Sequence, residues 1–557
     1  MMKKIVSNLF AIAILTASFS LHAQTAAKPY SFANLPKIAK TSFKADTLSI
    51  LKYGAVSDGL TLNTKSINDA IIACNKKGGG VVLVPKGLWL TGPIELKSNV
   101  NLHLQENAIL QFTKDFSQYP LVASNWEGLP QMRNQSPLWA TNQQNIAITG
   151  KGIIDGAGDA WRMVKKEKLT ESQWAKLVAS GGVLSDDKKT WFPTEKFFNA
   201  SKMKNPGEIT ADKTPEFYNS IKDFLRPNLV VLTSCKRILL EGVTFQNSAA
   251  WNIHPLMCED LTVRNVYAKN PWYAQNGDGI DLESCKNVLI EGSTFDVGDD
   301  GICIKSGRDA AGRKRGMPTE NVIIRNSTVY HAHGGFVIGS EMSGGARNIF
   351  VYDCSFIGTD IGLRFKTTRG RGGVVEKIFI KNINMIGIVG EAILFDMYYA
   401  AVDPIPLKGD KRDAPKVVLV PVTEETPIFR DFHIANVACD GAAKAVFIRG
   451  LPELAISNIK LENLSIKAKE GIDIQEAKNI SLTNVNLVVA EANPLINIQN
   501  GNQINLKNVK YNTAQTLFRI SGDRNSAIQS SGLDASKAKN KAEFLAGAEE
   551  KSLQINK

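Results

Sequence analysis

Two clusters of carboxylates stand at the same point of two successive, similar segments of the sequence. Asp278 and Asp281 lie in "NGDGIDL", and Asp299 and Asp300 lie in "GDDGICI". Like charges at neighbouring positions of stacked strands cost free energy unless a function or a cation compensates. Such crowding raises the pKa of a carboxyl group, so one acid can stay protonated beside ionised partners. A protonated carboxyl group that faces ionised carboxylates across a sugar is the arrangement of glycoside hydrolysis.

The two strand-like segments that follow add a histidine and two cations. "HGGFVI" and "IGLRFK" align with "DGICI" by their alternation, so their polar side chains should lie on the same outer face. Arginine and lysine at this place would hold a carboxylate of a substrate. Asp281 and Lys305 share the face and fit a functional and a structural role equally well. The side chains expected to converge are Asp278, Asp299, Asp300, His333, Arg364 and Lys366.

A repeating pattern predicts the scaffold that positions them. Alternating apolar and polar residues end in an asparagine or glycine turn, as in "RILLEGVTF", "NVLIEGSTF" and "QINLKNVKY", with shorter strands such as "GGFVI" between the copies. One unit cannot bury its inner face alone, and the spacing is too short for a helix in every repeat, so the units must stack. We predict an all-β fold, a right-handed parallel β-helix forming one elongated domain from residue 48 to residue 522. An up-and-down barrel or a propeller is the alternative, but the WD and kelch signatures of propellers are absent.

Three stretches depart from the repeat. Residues 157–226 are long, charged and aromatic, and residues 402–427 are rich in proline and charge. Both are interpreted as insertions, which often shape binding sites on a rigid scaffold. The C-terminal tail, 523–557, is compatible with a short helix and with a mobile segment.

The first residues predict export. Residues 1–23 hold Lys3 and Lys4, an apolar run and small residues before a cleavage point, as in a secretory signal peptide. We expect a secreted or periplasmic protein without a membrane span, acting as a monomer. Its formal net charge of +12 favours an acidic partner, and outside the cytoplasm that indicates acidic polysaccharide rather than nucleic acid.

Cysteine and histidine spacing does not indicate a metal or a cofactor. The chain has seven cysteines, an odd number, with neither a CxxC pair nor an HExxH motif. Cys235, Cys258 and Cys285 precede the same strand of successive coils, and we expect a ladder of packed thiols rather than a disulfide. No metal and no cofactor are expected.

Four short motifs in order resemble those of one enzyme family. "NGD", "GDD", "AHG" and "RFK" are similar to the N-x-D, G/Q-D-D, G-H-G and R-I-K motifs of the polygalacturonases, glycoside hydrolase family 28. "YGAVSDGLTLNTKSINDAI" resembles the first coil of pectinase-like β-helices. Two positions depart from the family pattern, Ala332 for glycine and Phe365 for isoleucine. Phe365 should point inward and pack, so neither endangers the chemistry.

The resemblance implies a role for each matched residue. Asp299 would be the general acid, and Asp278 and Asp300 would activate water. His333 would support the protonation of the acid or contact substrate. Arg364 and Lys366 would bind the sugar carboxylate, and Asn276 would orient a carboxylate or touch the sugar. The family inverts the anomeric centre, which fits carboxyl groups roughly 6.5–9.5 Å apart.

The implied function is hydrolysis of α-1,4-galacturonosyl linkages in pectin or in oligogalacturonides. The two insertions favour action on chain ends. A rhamnogalacturonan-type hydrolase of the same family remains an alternative. A polysaccharide lyase is a second alternative, and it would need calcium and a basic proton abstractor. A non-catalytic polysaccharide-binding β-helix is a third, and it would still bind polysaccharide after Asp299 is neutralised.

Overall fold

The structure is a computed structural model that describes residues 29–399 and 419–556. Residues 1–23, the predicted signal peptide, and residues 402–418 of the second predicted insertion lie outside the described residues. Contacts divide the chain into two units, Met1–Leu35 and Pro36–Lys557. In the first unit, Ser31 and Asn34 exchange backbone hydrogen bonds of 3.1 and 2.9 Å. All strands described below belong to the second unit.

The described residues contain forty strands and five α-helices. The helices are α1 (Thr64–Lys76), α2 (Glu171–Ala179), α3 (Glu195–Ser201), α4 (Pro215–Ser220) and α5 (Asp309–Arg315). The first strands are β1 (Thr47–Ser49), β2 (Gly80–Val84), β3 (Gly87–Thr91), β4 (Ile94–Glu95), β5 (Val100–Leu104), β6 (Ala108–Phe112), β7 (Leu121–Trp126), β8 (Leu129–Asn134), β9 (Leu138–Thr141), β10 (Gln144–Gly150), β11 (Ile153–Asp155), β12 (Val164–Lys165), β13 (Val183–Leu184) and β14 (Thr190–Phe192). The middle strands are β15 (Val230–Thr233), β16 (Lys236–Glu241), β17 (Thr244–Gln246), β18 (Ile253–Leu256), β19 (Glu259–Arg264), β20 (Tyr267–Lys269), β21 (Ile280–Glu283), β22 (Lys286–Glu291), β23 (Thr294–Asp296), β24 (Asp300–Lys305), β25 (Thr319–Arg325), β26 (Thr328–Tyr330) and β27 (Gly334–Ile338). The last strands are β28 (Ala346–Ile357), β29 (Leu363–Lys366), β30 (Val374–Ile386), β31 (Glu391–Asp396), β32 (Ile428–Asp440), β33 (Lys444–Arg449), β34 (Ile456–Gln475), β35 (Ala477–Gln499), β36 (Asn502–Tyr511), β37 (Ala514–Ser521), β38 (Ser526–Ser531), β39 (Ala538–Leu545) and β40 (Leu553–Ile555).

Parallel pairing between successive coils confirms the predicted β-helix. Thirty-five of the described strands form one continuous paired system. One of its faces carries the motifs, and we call it the site sheet. It is built from β9, β15, β18, β21, β24, β27, β29, β31 and β33, then from parts of β34 and β35, and from β37 and β39.

The interior of the coil is filled by stacked apolar side chains. Ile280, Ile302, Phe336 and Leu363 occupy one inward column of the site sheet, and each is at most 1% exposed. Phe365 also points inward, and its ring centroid lies 4.5 Å from that of Phe395. Burying one such side chain contributes roughly 1.5–3 kcal/mol. The inward packing expected for Phe365 is therefore found.

Asparagine at the corners explains the turn residue that ends each sequence repeat. Asn463 has a φ of 56°, in the left-handed region that asparagine tolerates better than most residues. Its side chain donates to the Asn436 amide oxygen at 3.0 Å and accepts from the Asn484 amide at 3.0 Å. The corner residue thus sets the bend and also ties three successive coils together.

The first insertion forms a separate small structure. Residues 157–226 hold α2, α3 and α4, and β12, β14 and β13 form an antiparallel three-stranded sheet. None of the helices described in residues 29–399 and 419–556 is both long and apolar enough to cross a bilayer.

The coil extends beyond residue 522, where the sequence pattern placed its end. β38, β39 and β40 pair in parallel with β36, β37 and β38. Ile528 and Leu533 are buried, and Phe544 and Leu553 pack against the same core. Lysine, alanine and serine dominate this stretch, and so few large apolar residues concealed the alternation.

Candidate active site

The register of the site sheet brings the motif residues together. Asp281 pairs with Cys303, Cys303 with Val337, and Val337 with Arg364, so these four residues form one outward column. The carboxylates of both motifs stand at the beginning of β21 and β24, and Gly334 pairs with Asp300. Neighbouring strands lie about 4.8 Å apart. The seven residues named from the sequence therefore fall within a few rungs.

Asp278, Asp299 and Asp300 form a compact carboxylate cluster. One oxygen of each lies within 4.8 Å of the others. These nearest oxygens are closer than the separation of about 6.5–9.5 Å expected between inverting carboxyl groups. A water that hydrogen-bonds two oxygens at about 2.8 Å, with a near-tetrahedral angle, spans about 4.6 Å. The cluster can therefore hold one water between two of its oxygens.

Asp300 is an ionised carboxylate held by two cations. Its oxygens accept hydrogen bonds from Lys366 Nζ at 2.7 Å and from Arg364 at 3.2 Å. Burial opposes ionisation of Asp300, but Lys366, Arg364 and Lys305 outweigh it and hold the pKa of this carboxyl well below its usual range. Lys366 and Arg364 thus use some of their hydrogen-bond donors on a carboxylate of the protein itself.

Asp299 is the member of the cluster that faces outward. Its side chain is 21% exposed, against 2% for that of Asp300. The backbone N–H groups of Asn276 and Asp300 donate to its two oxygens at 3.2 and 3.0 Å. His333 Nδ1 lies 3.2 Å from Asp299, and the hydrogen bond between them raises the pKa of His333. Asp299 is therefore positioned by two amides and an imidazole while remaining reachable.

Asp278 carries the raised pKa of the cluster. It is 3% exposed, and its Oδ1 has no hydrogen-bond partner among the described residues. Burial, then repulsion from Asp281 and Asp299, raises its pKa well above the usual range. Crowding was expected to raise the pKa of the acid Asp299, and the structure places a raised pKa on Asp278. The cluster thus holds a protonated carboxyl beside an ionised one.

A second group of charges is buried on the same face. Asp281 is fully buried, and both of its oxygens lack a hydrogen-bond partner among the described residues. Lys305 Nζ lies 3.6 Å from Asp281 and 3.0 Å from Glu341, and 4.9 Å from the ring centroid of Trp251. Burial raises the pKa of Asp281 well above its usual range even though Lys305 opposes this. Lys305 is thus a structural counter-ion for several buried acids.

A hairpin formed by β7 and β8 covers this group. Trp126 stacks on Trp251, with ring centroids 5.9 Å apart. At the tip, Arg308 contacts Glu127 at 3.4 Å, and its backbone N–H donates to the Gly128 carbonyl at 3.3 Å. A Cβ at Gly128 would lie 2.7 Å from that nitrogen, and its φ is +79°, so only glycine fits this contact. We call residues 121–134 the roof hairpin.

The roof hairpin also contacts the first motif. Glu127 lies 3.5 Å from the side-chain nitrogen of Asn276, and Arg226 donates to the Asn276 oxygen at 2.9 Å. Arg226 further donates to the carbonyls of Ala249 and Gln275. Asn276 is therefore fixed by Arg226 at the edge of the cluster.

The three carboxylates of the cluster lie close enough together to share a cation. Lys366 and Arg364 already supply two positive charges to Asp300. Positive charge at this point therefore comes from the chain itself.

The sequence patterns predicted the cluster but not the residues that surround it. The structure brings together Asp278, Asp299, Asp300, His333, Arg364, Lys366 and Asn276. Glu127, Arg226 and Glu341 were missed because they lie outside the repeats that revealed the others. The glycine of "WEGL" was the one local sign of a turn at the roof. The ladder of thiols is present. Cys235, Cys258 and Cys285 are buried and free, and each stands two residues after the last paired residue of β15, β18 or β21.

Comparison with known proteins assigns this site to a family. The model for "Glycosyl hydrolases family 28" matches residues 212–426, which include all four motifs. This match includes the carboxylate cluster. Together with the relatives described next, it identifies the protein as a glycoside hydrolase.

Relatives of this hydrolase align with most of the chain. A probable polygalacturonase of Vitis vinifera is 28% identical over 448 residues, 77% of this chain and 77% of its own length. An exo-poly-alpha-D-galacturonosidase of Dickeya chrysanthemi is 28% identical over 466 residues, 79% of this chain and 71% of its own. The crystal structure of an exopolygalacturonase from Thermotoga maritima superimposes with a TM-score of 0.65 at 29% identity, covering 85% of this chain and 93% of that one.

Asp281 gives a test of the buried charges. An unfolded chain releases its aspartate protons near pH 4, whereas the folded protein keeps the proton of Asp281 to higher pH because its pKa is raised. Each rise in pH above 4 therefore favours the unfolded state until folded Asp281 also ionises. Asp281→Asn should raise the free energy of unfolding at pH 7 by more than the roughly 0.5 kcal/mol typical of surface substitutions and have little effect at pH 4, measured by denaturant titration.

Asp440→Asn is the matched control for this experiment. Asp440 is exposed and pairs with exposed Lys467, so its substitution should change stability little at either pH. A loss of stability at pH 7 in Asp281→Asn would instead mean that ionised Asp281 and Lys305 form a stabilising pair.

Proposed function

We propose that this hydrolase cleaves α-1,4-galacturonosyl linkages of pectic polysaccharide from chain ends, with inversion. The observation that carries the proposal is the geometry of the cluster, in which Asp300 is paired with two cations and Asp278 is buried. Asp300 is ionised by Lys366 and Arg364, and Asp278 retains a proton because it is buried. A proton donor and an ionised carboxylate within 4.8 Å are the two partners that glycoside hydrolysis requires.

The roles follow from access and charge. Asp299 reaches outward, so it is assigned the transfer of a proton to the glycosidic oxygen as the bond to the leaving sugar breaks. It receives that proton from Asp278, since one oxygen of each lies within 4.8 Å of the other, and Asp278 is thereby left ionised. Asp300 and Asp278 lie beneath it and hold the water that attacks the anomeric carbon. The proton lost by that water passes to this carboxylate pair, which titrates as a unit. Inversion is proposed because water held below Asp299 would attack from the face opposite the departing sugar.

Arg364 supplies the positive charge for a uronate substrate. Its side chain is 18% exposed, and its hydrogen bonds to Asp300 and to the His333 carbonyl both come from Nη1. Its guanidinium therefore retains a donor beyond the one used by Asp300. Lys366 is 7% exposed and bonded to Asp300, so its contribution is the electrostatic field more than a direct contact. The ring of Tyr399 lies 6.0 Å from Arg364.

Action on chain ends is supported by the roof hairpin. Its tip meets Arg308 and Asn276 and closes the N-terminal side of the cluster. A chain that must enter a covered site can do so only by its terminus. The exo-acting relatives in Dickeya chrysanthemi and Thermotoga maritima agree with this proposal.

The alternatives make different demands on the same residues. A rhamnogalacturonan-type hydrolase would use the same acids with a different neighbouring sugar, and product analysis separates the two. A lyase would leave an unsaturated product that absorbs ultraviolet light. A non-catalytic binding protein would release no reducing ends.

The first test is neutralisation of the proposed acid. Asp299→Asn should lower the release of reducing ends from polygalacturonate by roughly 10²–10⁴-fold, since general acid catalysis contributes about that factor. Asp296→Asn is the control, because Asp296 lies on the same coil and contacts His331 at 3.0 Å rather than the cluster. Equal activity of Asp299→Asn and wild type would contradict the assignment of Asp299 as the general acid.

The second test concerns the roof. Replacing residues 124–131 by a two-residue Asn-Gly turn should shift products from uniform small saccharides to a mixture of lengths, because internal segments can then enter. Chromatography of early products measures this. A matched shortening at Asp186–Lys188, in an exposed turn of the insertion, should leave the products unchanged. Unchanged products after shortening the roof would contradict its role.

We also propose that the chain is exported and acts as a monomer in the periplasm or outside the cell. The support is the basic and then apolar pattern of residues 1–23. Mass spectrometry of protein recovered from the producing cells should find a mature N-terminus between residues 24 and 28. An intact Met1 would contradict export by this route.

A further inference from the structure

A cavity on the outer face of the coil lies away from the carboxylates. It is an open groove of about 1250 Å³ on the outer face of the site sheet, on coils that follow the cluster. The outward column of Arg364 continues through Leu394, Phe447, Asp473, Asn497 and Arg519, and the last four line the groove. At about 4.8 Å per rung, Arg519 lies about 24 Å from Arg364.

The walls of the groove offer hydrogen bonds suited to a sugar chain. Asn497 is half-buried and Gln515 exposed, and both amides line the groove. Phe447 and Pro494 supply apolar surface between them. Side-chain amides with a small apolar surface fit the hydroxyl groups and the ring faces of saccharides. The groove is thus built for a polar, extended ligand.

The acids of the groove are largely compensated. Lys444 forms ion pairs with Asp473 and, at 3.1 Å, with Glu470. Glu491 lies 3.4 Å from Lys469. Burial raises the pKa of Glu391, which moves this carboxyl toward its neutral form. Carboxylates in the walls therefore oppose an anionic ligand less than their number suggests.

Two exposed lysines stand at the rim. Lys537 and Lys539 both line the groove. Lys537 donates to the backbone carbonyl of Tyr511 at 3.4 Å, a contact that leaves its charge in place. The rim thus presents positive charge to a ligand in the groove.

The roof hairpin and the groove lie on opposite sides of the carboxylates. The hairpin leaves the coil before β9 and reaches over Asn276 and Arg308, and the groove opens on the coils that follow the cluster. A chain whose end lies under the roof must leave along the following coils, and successive sugars advance by a length comparable to one rung.

We propose that this groove is a distal binding site for the same polyuronide chain, in which Lys537 and Lys539 attract its carboxylates while Asn497 and Gln515 bind its hydroxyl groups. The inference rests on the proposed function, because it takes its ligand from the proposed substrate. It predicts that the groove strengthens the binding of long chains. Short oligomers end before the groove, so their binding should not depend on it.

The experiment compares long and short substrates on a charge-reversed rim. Lys537→Glu/Lys539→Glu should lower kcat/KM for polygalacturonate about tenfold at low ionic strength, because two exposed charges near an anionic chain change sign. The value for trigalacturonate should stay within about twofold of wild type. Lys537→Gln/Lys539→Gln should fall between them, and added salt should shrink the difference.

The control reverses two lysines on another face. Lys507 and Lys510 are exposed on β36, which belongs to a different sheet of the coil. Lys507→Glu/Lys510→Glu makes the same change in net charge. It should leave the ratio of kcat/KM for polygalacturonate to kcat/KM for trigalacturonate unchanged. An equal loss in this control, or an equal loss for both substrates with the rim variant, would overturn the proposal.

Binding separates this inference from the proposed activity. Affinity for polygalacturonate and for trigalacturonate is measured in Asp299→Asn protein with and without the rim substitutions. Weaker binding of the polymer alone supports the groove even if the wild-type protein hydrolyses neither substrate. Unchanged polymer affinity in the rim variant rejects the groove even if hydrolysis is confirmed.

Discussion

Parallel, in-register pairing of coils is the constraint on which the rest of this structure depends. Each rung repeats the same orientation of side chains at about 4.8 Å, so residues far apart in the sequence become neighbours in a column. Asp281 and Arg364 belong to one column, separated by uncharged Cys303 and Val337. Opposite charges approach between different columns instead, as Lys366 and Asp300 do at 2.7 Å.

Burial then decides what these charges can do. An outward face of a solenoid is ordinarily hydrated, which would leave each carboxylate ionised and weakly coupled to its neighbours. Here the roof hairpin and its aromatic contact between Trp126 and Trp251 exclude water from part of this face. Interactions between the acids become stronger in the drier environment, so Asp300 ionises with its two cations while Asp278 retains a proton.

The sequence allowed the coil and the cluster to be predicted because both follow from periodicity. Aligning "DGIDL" with "DGICI" places Asp278 beside Asp300, and the structure has this register. The contact between Glu127 and Arg308 joins residues 181 positions apart and belongs to no repeat, so no pattern could predict it. The protonation of Asp278 was missed for a related reason, since it depends on burial under segments whose place only the folded chain fixes.

The net charge has a different meaning once the site is known. A formal charge of +12 led us to expect an acidic substrate held by Arg364 and Lys366. Both cations are already engaged by Asp300, so the site is far less positive than its arginine and lysine suggest. Positive charge at exposed positions acts over a longer range and mainly accelerates the encounter with a polyanion. Long-range attraction of the polyanion is therefore assigned to exposed residues outside the cluster, because a strongly positive catalytic cluster would remove the proton that its carboxyl groups must keep.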